Sequence, residues 1–333
     1  MIWKANNIMD TQQFLQELKT RGEVKKISNK MLALNGALIG IAVLAVFMMY
    51  GAVHAPAPAP IVAEEAPVKP SPFDSVHIGA KAAYVYDLAE GKVLYKKNEF
   101  AQLPLASLTK LMMALTATEM LPKDSKITIR KEFLEEEGDS GLLADESWRL
   151  SDLLDYSLVV SSNDGARAIA SVIGATDLQS DDFDLGRKDF IHKMNLTAKD
   201  LGLKQTYFIN ENGLDVDEVS GGYGSAIDVA TLLGYMLKHT PDVLESTKEE
   251  TITVDSYDRT HTGKNTNIDI AKIPGLLASK TGFTDMAGGN LAVAFDTSIG
   301  HPIIAVVLGS TQEGRFSDIS ALVNASFAYT SGE

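Results

Sequence analysis

An α/β (α+β) fold is what this sequence predicts for its larger part. One sheet draws strands from both ends of a globular region, and a mostly helical insertion lies between them. Two observations carry this. Short apolar runs of strand character sit within Ala80–Tyr95 and again between Leu276 and Leu308, while the stretch between them reads with helical periodicity. A hydrophobic share of 45% and a charged share of 22% over 333 residues are ordinary globular proportions, with chain enough for a real core. The same composition excludes several classes. Cysteine is absent, so disulfides, iron–sulfur clusters and thiolate zinc sites are ruled out. A formal net charge of −14 argues against a nucleic-acid partner, which selects for a basic face.

The N-terminal part differs. Residues 1–30 hold six Lys/Arg (Lys4, Lys19, Arg21, Lys25, Lys26, Lys30) against three acids (Asp10, Glu17, Glu23). Met31–Val53 follows, 23 residues with no charge. As a helix it would run about 34 Å, enough to cross a bilayer. A soluble buried helix would show polar periodicity, which is missing. A cleaved signal peptide is the stronger rival, with small residues around Ala52 and Ala55, but the front segment and apolar run are both long for one. The expectation is an uncleaved transmembrane signal anchor over 31–53. The basic flank would keep residues 1–30 in the cytoplasm and place the rest outside, in the manner of a single-pass membrane protein. Residues 54–72, HAPAPAPIVAEEAPVKPSP, contain six of the eleven prolines. They read as a semi-rigid linker spanning on the order of 50 Å, a better fit than an SH3 or WW ligand.

Residues 73–333 read as one globular domain. Ala80–Asp87 and Lys92–Tyr95 flank LAEG as a hairpin. Ser107–Leu121 reads as a helix with Leu108, Leu111, Met112 and Leu115 on one side. Leu150–Ile173 reads as helical but broken near Ser161, and Phe190–Leu201 and Ala226–His239 as further helices. Leu276–Lys280, Asn290–Phe295 and Ile303–Leu308 read as strands, closed by a helix over Arg315–Tyr329. Strands from the two ends must meet in one sheet, with the helical middle beside it.

Three short patterns carry chemistry. In Ser107-Leu-Thr-Lys110, positions i and i+3 share a helix face. Ser107 would lie at the positive helix end, and Lys110 could accept its proton if burial lowers the lysine pKa. Alone the pattern is weak: about one chance match is expected in such a chain, and Ser107 could be a mere N-cap. Ser161-Ser162-Asn163 interrupts an apolar helical stretch. It would point a hydroxyl and an amide into one cleft, with a plain helix cap as the alternative. Lys280-Thr281-Gly282 ends an apolar strand, where Lys280 and Thr281 could hold a carboxylate and Gly282 could admit a substrate backbone.

Each pattern occurs once, in the order SxxK, SxN, KTG, in helix-start, interhelical-turn and strand contexts. This is the motif set of the penicillin-binding proteins and serine β-lactamases. The segment PLASLTKLMMALTATEM resembles the nucleophile helix of the low-molecular-mass penicillin-binding proteins, the serine D-alanyl-D-alanine carboxypeptidases. YVYDLAEGKVLY resembles their opening hairpin. AKDLGLKQTYFINENGLD resembles their helix-to-loop segment, with Asn212 where that family often has His. GLLASKTGFTDMAGGNLAVAF and IIAVVLGSTQEGRFSDISALV resemble their last strands and helix, so the likeness runs collinearly over about Ser75–Tyr329.

The resemblance implies a penicillin-binding protein/serine β-lactamase-like fold, an antiparallel sheet flanked by helices with a helical subdomain and a cleft between. It implies a cell-wall enzyme that trims the terminal D-Ala of peptidoglycan stem pentapeptides. In that family pattern Ser107 attacks, Lys110 is general base, and Ser161 passes the proton to the leaving amine beside Lys280. Asn163 orients the acyl side chain. The N–H groups of Ser107 and Phe283 form the oxyanion hole. Lys280, Thr281 and Arg315 hold the terminal carboxylate, with Gly282 between them. No metal and no organic cofactor is required, and β-lactam antibiotics would trap Ser107 covalently. Many members continue into a C-terminal β-domain and an amphipathic membrane helix, whose attachment the 31–53 segment would replace.

Within that fold, a β-lactamase is disfavoured because Ser162 stands where class A enzymes carry Asp. A D,D-endopeptidase is a close alternative. An inactive peptidoglycan-binding scaffold is opposed by the intact motif residues. Other chemistries fail: there is no G-x-S-x-G elbow and no HExxH. The glycines of Gly309–Phe316 lack a P-loop Lys, and Asp181, Asp182 and Asp184 do not match a calcium loop. His192 and His239 in helices, and His77, His261 and His301 near strand ends, are expected in surface or capping roles. The acidic run Glu132–Asp139 is expected as a solvated face.

Overall fold

The computed structural model describes residues 29–53 and 70–332. The expectations for the cytoplasmic segment 1–30 and the linker 54–72 therefore fall almost wholly outside the described residues. Two units divide the chain, Met1–Val68 and Lys69–Glu333. In the first, helix α1 spans Asn29–Val53, 25 residues. Its described side chains, Gly36 and Leu38–Tyr50, are exposed. Among the described residues, no helix is long and apolar enough to cross a membrane.

The second unit is built on a five-stranded sheet. Strands β1 (Ala82–Asp87) and β2 (Lys92–Lys97) form the expected hairpin. Strands β10 (Leu276–Thr284), β11 (Gly288–Asp296) and β12 (Pro302–Ser310) come from the far end. Their order is β10-β11-β12-β1-β2, antiparallel throughout, with β1 against β12 in the register Ala82↔Leu308 to Asp87↔Ile303. Both faces of the sheet are covered. Ala83, Val85, Leu291, Val293, Phe295, Ile303, Ala305 and Val307 pack on Phe316, Ile319, Leu322 and Val323 of the closing helix. Ala82, Tyr84, Ala292, Ala294, Ile304 and Val306 face the helical insertion. A strand buried on both faces is apolar at every position, which explains the unbroken runs such as IIAVVL.

The insertion begins with short strand β3 (Leu103–Pro104), a 3-10 turn at Ala106–Leu108, and helix α2 (Thr109–Met120). Every residue of α2 from Thr109 to Ala117 is buried, the polar Thr109, Lys110 and Thr116 along with the apolar majority, so the helix is enclosed on all sides. Paired strands β4 (Lys126–Thr128) and β5 (Ser147–Arg149) lead to helices α3 (Leu150–Val159), α4 (Asn163–Asp177) and α5 (Phe183–Asp200). Helices α4 and α5 touch backbone to backbone: a Cβ added to Gly174 would lie 1.9 Å from the Gly186 carbonyl oxygen. Strands β6 (Tyr207–Phe208) and β7 (Gly222–Gly224) join β3 in a small sheet before helix α6 (Ala226–His239). A hairpin of β8 (Thr251–Asp255) and β9 (Thr260–Lys264) precedes β10. Helix α7 (Gly314–Ser331) follows; of the expected strand-to-helix loop Gly309–Phe316, only residues 311–313 are loop, Gly309 and Ser310 ending β12 and Gly314–Phe316 opening α7.

Candidate active site

The three motifs meet. Ser107 lies in the 3-10 turn directly before α2 rather than inside a helix, on a backbone forced by Ala106 at φ 48°. A left-handed alanine is strained, and such strain is held only where the surroundings insist on it. No side-chain cap bond forms at either helical start here, so the N-cap alternative for Ser107 falls. One turn on, Lys110 is fully buried. Its Nζ donates to Ser107 Oγ at 3.0 Å, Asn163 Oδ1 at 2.7 Å and the Asn212 carbonyl at 2.7 Å. Burial pushes the Lys110 amine down to about 7, although Glu211 and Glu136 pull the other way.

The SxN motif divides its labour. Ser162 is the cap: its Oγ accepts from the Gly165 N–H at 2.9 Å and starts α4. That leaves its neighbours free for the cleft. Ser161 sits between α3 and α4 at φ 61°, and its Oγ accepts from Lys280 Nζ at 2.9 Å. Asn163 turns its oxygen to Lys110 and donates through Nδ2 to the Glu137 carbonyl at 2.6 Å.

Strand β10 is the sheet edge on this side, and it carries KTG past Ser107. Lys280 is 2% exposed and also donates to the Thr281 carbonyl at 3.0 Å. Burial, and then the positive charges of Lys110 and Arg315, hold its pKa well below that of an ordinary lysine. Thr281 Oγ1 donates to Thr266 Oγ1 at 2.6 Å. At Gly282 a Cβ would lie 2.8 Å from the Leu105 carbonyl and 3.1 Å from the Ser107 nitrogen, so only glycine lets the edge strand run against the serine turn. Phe283 is 40% exposed on the strand beyond it. Arg315, on α7, is buried and donates through Nη1 to the Gly282 carbonyl at 2.8 Å. Burial lowers its pKa to about 10. All nine residues singled out in the sequence therefore belong to one hydrogen-bonded or adjoining group.

Other residues complete it without a sequence motif. Asn290 on β11 donates to the Pro104 carbonyl at 2.9 Å and accepts from the Gly309 N–H at 2.8 Å, fastening the serine turn to the sheet. Asn212 supplies a backbone carbonyl, which no side-chain pattern can announce. The acidic run corrects one expectation: Glu132, Glu135, Glu137 and Asp139 are exposed, but Glu136 is not. Its carboxylate meets Arg167 Nη1 at 2.5 Å and accepts from Asn212 Nδ2 at 2.9 Å. His261 corrects another. It is buried against Trp148, ring centroids 4.7 Å apart, and meets Glu146 at 2.5 Å. His301 pairs with buried Asp87 at 2.7 Å. Asp87, Glu90 and His301 lie within ligand distance of one another, but Asp87 spends its other oxygen on the N–H groups of Ala89 and Glu90 in the β1–β2 turn. Asp182 caps α5 through the Leu185 N–H.

A buried lysine on a serine, with a second buried lysine on a second serine, is the geometry of a serine acyl-transfer site. The family model Peptidase_S11, D-alanyl-D-alanine carboxypeptidase, matches residues 66–312. The chain belongs to this family. It is 31% identical over 260 residues to the D-alanyl-D-alanine carboxypeptidase DacF of Bacillus subtilis, covering 75% of this chain and 62% of that one. It is 30% identical over 253 residues to a D-alanyl-D-alanine endopeptidase of Escherichia coli, covering 74% and 76%. The crystal structure of penicillin-binding protein D2 from Listeria monocytogenes in its ampicillin-bound form superposes with a TM-score of 0.64 at 31% identity, over 75% of this chain and 98% of that one. The chain thus spans a little under two thirds of the length of DacF. The penicillin-binding fold expected from the motifs is the fold observed.

Proposed function

We propose that this chain is a serine D-alanyl-D-alanine carboxypeptidase acting on peptidoglycan stem pentapeptides. The observation that carries the reading is Lys110: fully buried, shifted to about 7, and 3.0 Å from Ser107 Oγ. A neutral amine so placed removes the Ser107 proton as Oγ attacks the carbonyl of the terminal D-Ala–D-Ala bond. The oxyanion is assigned to the N–H groups of Ser107 and Phe283, on the serine turn and on the strand that Gly282 lets run against it. The C–N bond then breaks, and the D-alanine amine takes a proton by way of Ser161, held by Lys280. Lys280, Thr281 and Arg315 supply the cationic and hydroxyl groups for the departing carboxylate, and Asn163 the amide for the acyl side chain. Water cleaves the acyl-enzyme on Ser107. β-Lactams enter the same path as covalent inhibitors, and the ampicillin-bound Listeria relative supports this. The endopeptidase relative supports a second reading, cleavage of D-Ala crosslinks by the same residues.

The same proposal extends to location. The uncharged run 31–53 behind a basic flank, a feature of the sequence, supports a single-pass anchor. The catalytic domain would then lie on the extracytoplasmic side. Intact-mass measurement of the full chain in detergent with benzylpenicillin tests the chemistry, with Ser107→Ala beside it. An adduct on the wild type alone, together with D-alanine release from a pentapeptide, is expected. An adduct retained in Ser107→Ala refutes the nucleophile. Rapid loss of antibiotic without an adduct identifies a β-lactamase instead.

A further inference from the structure

Lys110 has three acceptors, and two of them are themselves held by one dipeptide. Asn163 Oδ1 and the Asn212 carbonyl each lie 2.7 Å from Lys110 Nζ. Asn163 is oriented by donating to the Glu137 carbonyl, and Asn212 by donating to the Glu136 carboxylate at 2.9 Å. Glu136 is in turn fixed from two helices. Arg167 of α4 meets its Oε1 at 2.5 Å, and Arg187 of α5 approaches to 3.9 Å while donating to Glu211 at 2.8 Å. Glu211 is fully buried and immediately precedes Asn212. The side chains of Arg167 and Glu136 are 19% and 12% exposed, so water screens this pair little.

We propose that Glu136 is a positioning residue of the acyl-transfer site: its carboxylate holds Asn212, whose carbonyl accepts from Lys110, and anchors the loop whose next carbonyl, that of Glu137, holds Asn163, so that the general base is fixed on Ser107. The inference rests on the acyl-enzyme reading above and assigns a role to the loop between β4 and β5, which the motifs leave without one. A carboxylate suits the task better than an amide. It can accept from Asn212 with one oxygen while the other pairs with half-buried Arg167, whose second carboxylate neighbour, Asp184, is exposed and lies 3.8 Å away. Misplacing a base by about 1 Å costs on the order of 10²-fold in rate.

The test uses the full chain with Glu136→Ala and Glu136→Gln. Penicillin acylation rates are measured from pH 5 to 9, and Lys110 is titrated by NMR of its 13C-labelled ε carbon. Glu136→Ala should slow acylation by about 10²-fold at saturation of the pH profile. Glu136→Gln keeps an oxygen for Asn212, so its plateau rate should lie well above that of the alanine variant. It removes a negative charge near Lys110, so its acid limb and the Lys110 midpoint should both move to lower pH. Arg167, Arg187, Glu211, Asp164 and Lys280 are the other charged groups around this base, and none is altered. A Glu136→Ala protein that acylates at the wild-type rate overturns the inference. So does one that loses rate only in proportion to unfolded protein, with the Lys110 midpoint unmoved. No adduct on the wild type refutes the acyl-enzyme reading. The carbon titration needs no penicillin, and an unchanged Lys110 midpoint in both variants would then overturn the positioning role as well.

Discussion

If Lys110 is the base, acylation must follow its protonation, and the structure places the midpoint. Burial brings the amine from 10.5 to about 7. The reactive form is neutral, so its fraction falls as pH drops. The rate should be half its plateau near pH 7, about a tenth at pH 6 and about a hundredth at pH 5. An unshifted lysine would behave differently. Only about one molecule in three thousand would be neutral at pH 7, and the rate would climb about tenfold per unit through pH 9. The assay is the second-order rate of adduct formation with benzylpenicillin, whose carboxylate stays ionised across this range. Two other groups in the site are shifted: burial raises the Asp164 carboxyl to about 6 and lowers Lys280 well below an ordinary lysine, so Asp164→Asn and Lys280→Arg are measured in parallel. The limb should persist in both variants. A limb that vanishes in either, or a rate still rising steeply above pH 9, refutes Lys110 as the desolvated base.

Two further outcomes test the frame around the site. Gly174→Ala replaces a poor helix former by a good one, which in an exposed helix adds about 1 kcal/mol. Here the new Cβ would meet the Gly186 carbonyl at 1.9 Å and push α4 from α5, so calorimetry should show destabilisation of about 2 kcal/mol or more. An unchanged or higher melting temperature would contradict the backbone contact. Glu146 concerns pH. Burial pushes its carboxyl up, but donation from Ser256, the His261 ring and the Leu143 N–H outweighs this and holds it below 4.5. A depressed acid stabilises the fold above its unfolded pKa and loses that contribution as pH falls through the folded one. The stability gap between wild type and Glu146→Gln should therefore be full at pH 6 and shrink below about pH 4.5, read as urea midpoints. A gap that widens on acidification would show the sign to be wrong.

Much of the scaffold was legible because its signals are local. The hairpin at LAEG, helix α6 and the three closing strands follow from apolar runs and turn residues, and the last of these were underestimated only at their ends. Short pieces escaped. β3 and β6 have two residues each, too few for any period, and exist through tertiary pairing with β7. The β8–β9 hairpin left a readable trace, the alternation Thr-Ile-Thr-Val-Asp, yet only its partner strand makes it a sheet. Buried His261 was unreadable for a related reason: its burial depends on Trp148 and Tyr156, distant in sequence.

The site divides along the same line. SxxK, SxN and KTG are side-chain patterns with fixed spacing, so each could be found alone. What makes them a site is supplied by backbone: the strained turn at Ala106, the left-handed Ser161, the Asn212 carbonyl and the bare Cα of Gly282. These features explain a detail of the SxN motif. A serine that caps α4 cannot also face the cleft, so the cap falls to Ser162. The positive φ then turns Ser161 back toward Lys280, and the first helical position points Asn163 at Lys110. Three consecutive residues thus serve two lysines and one helix end. A substitution at Ser162 should accordingly be felt at both lysines, through the start of α4, although Ser162 touches neither.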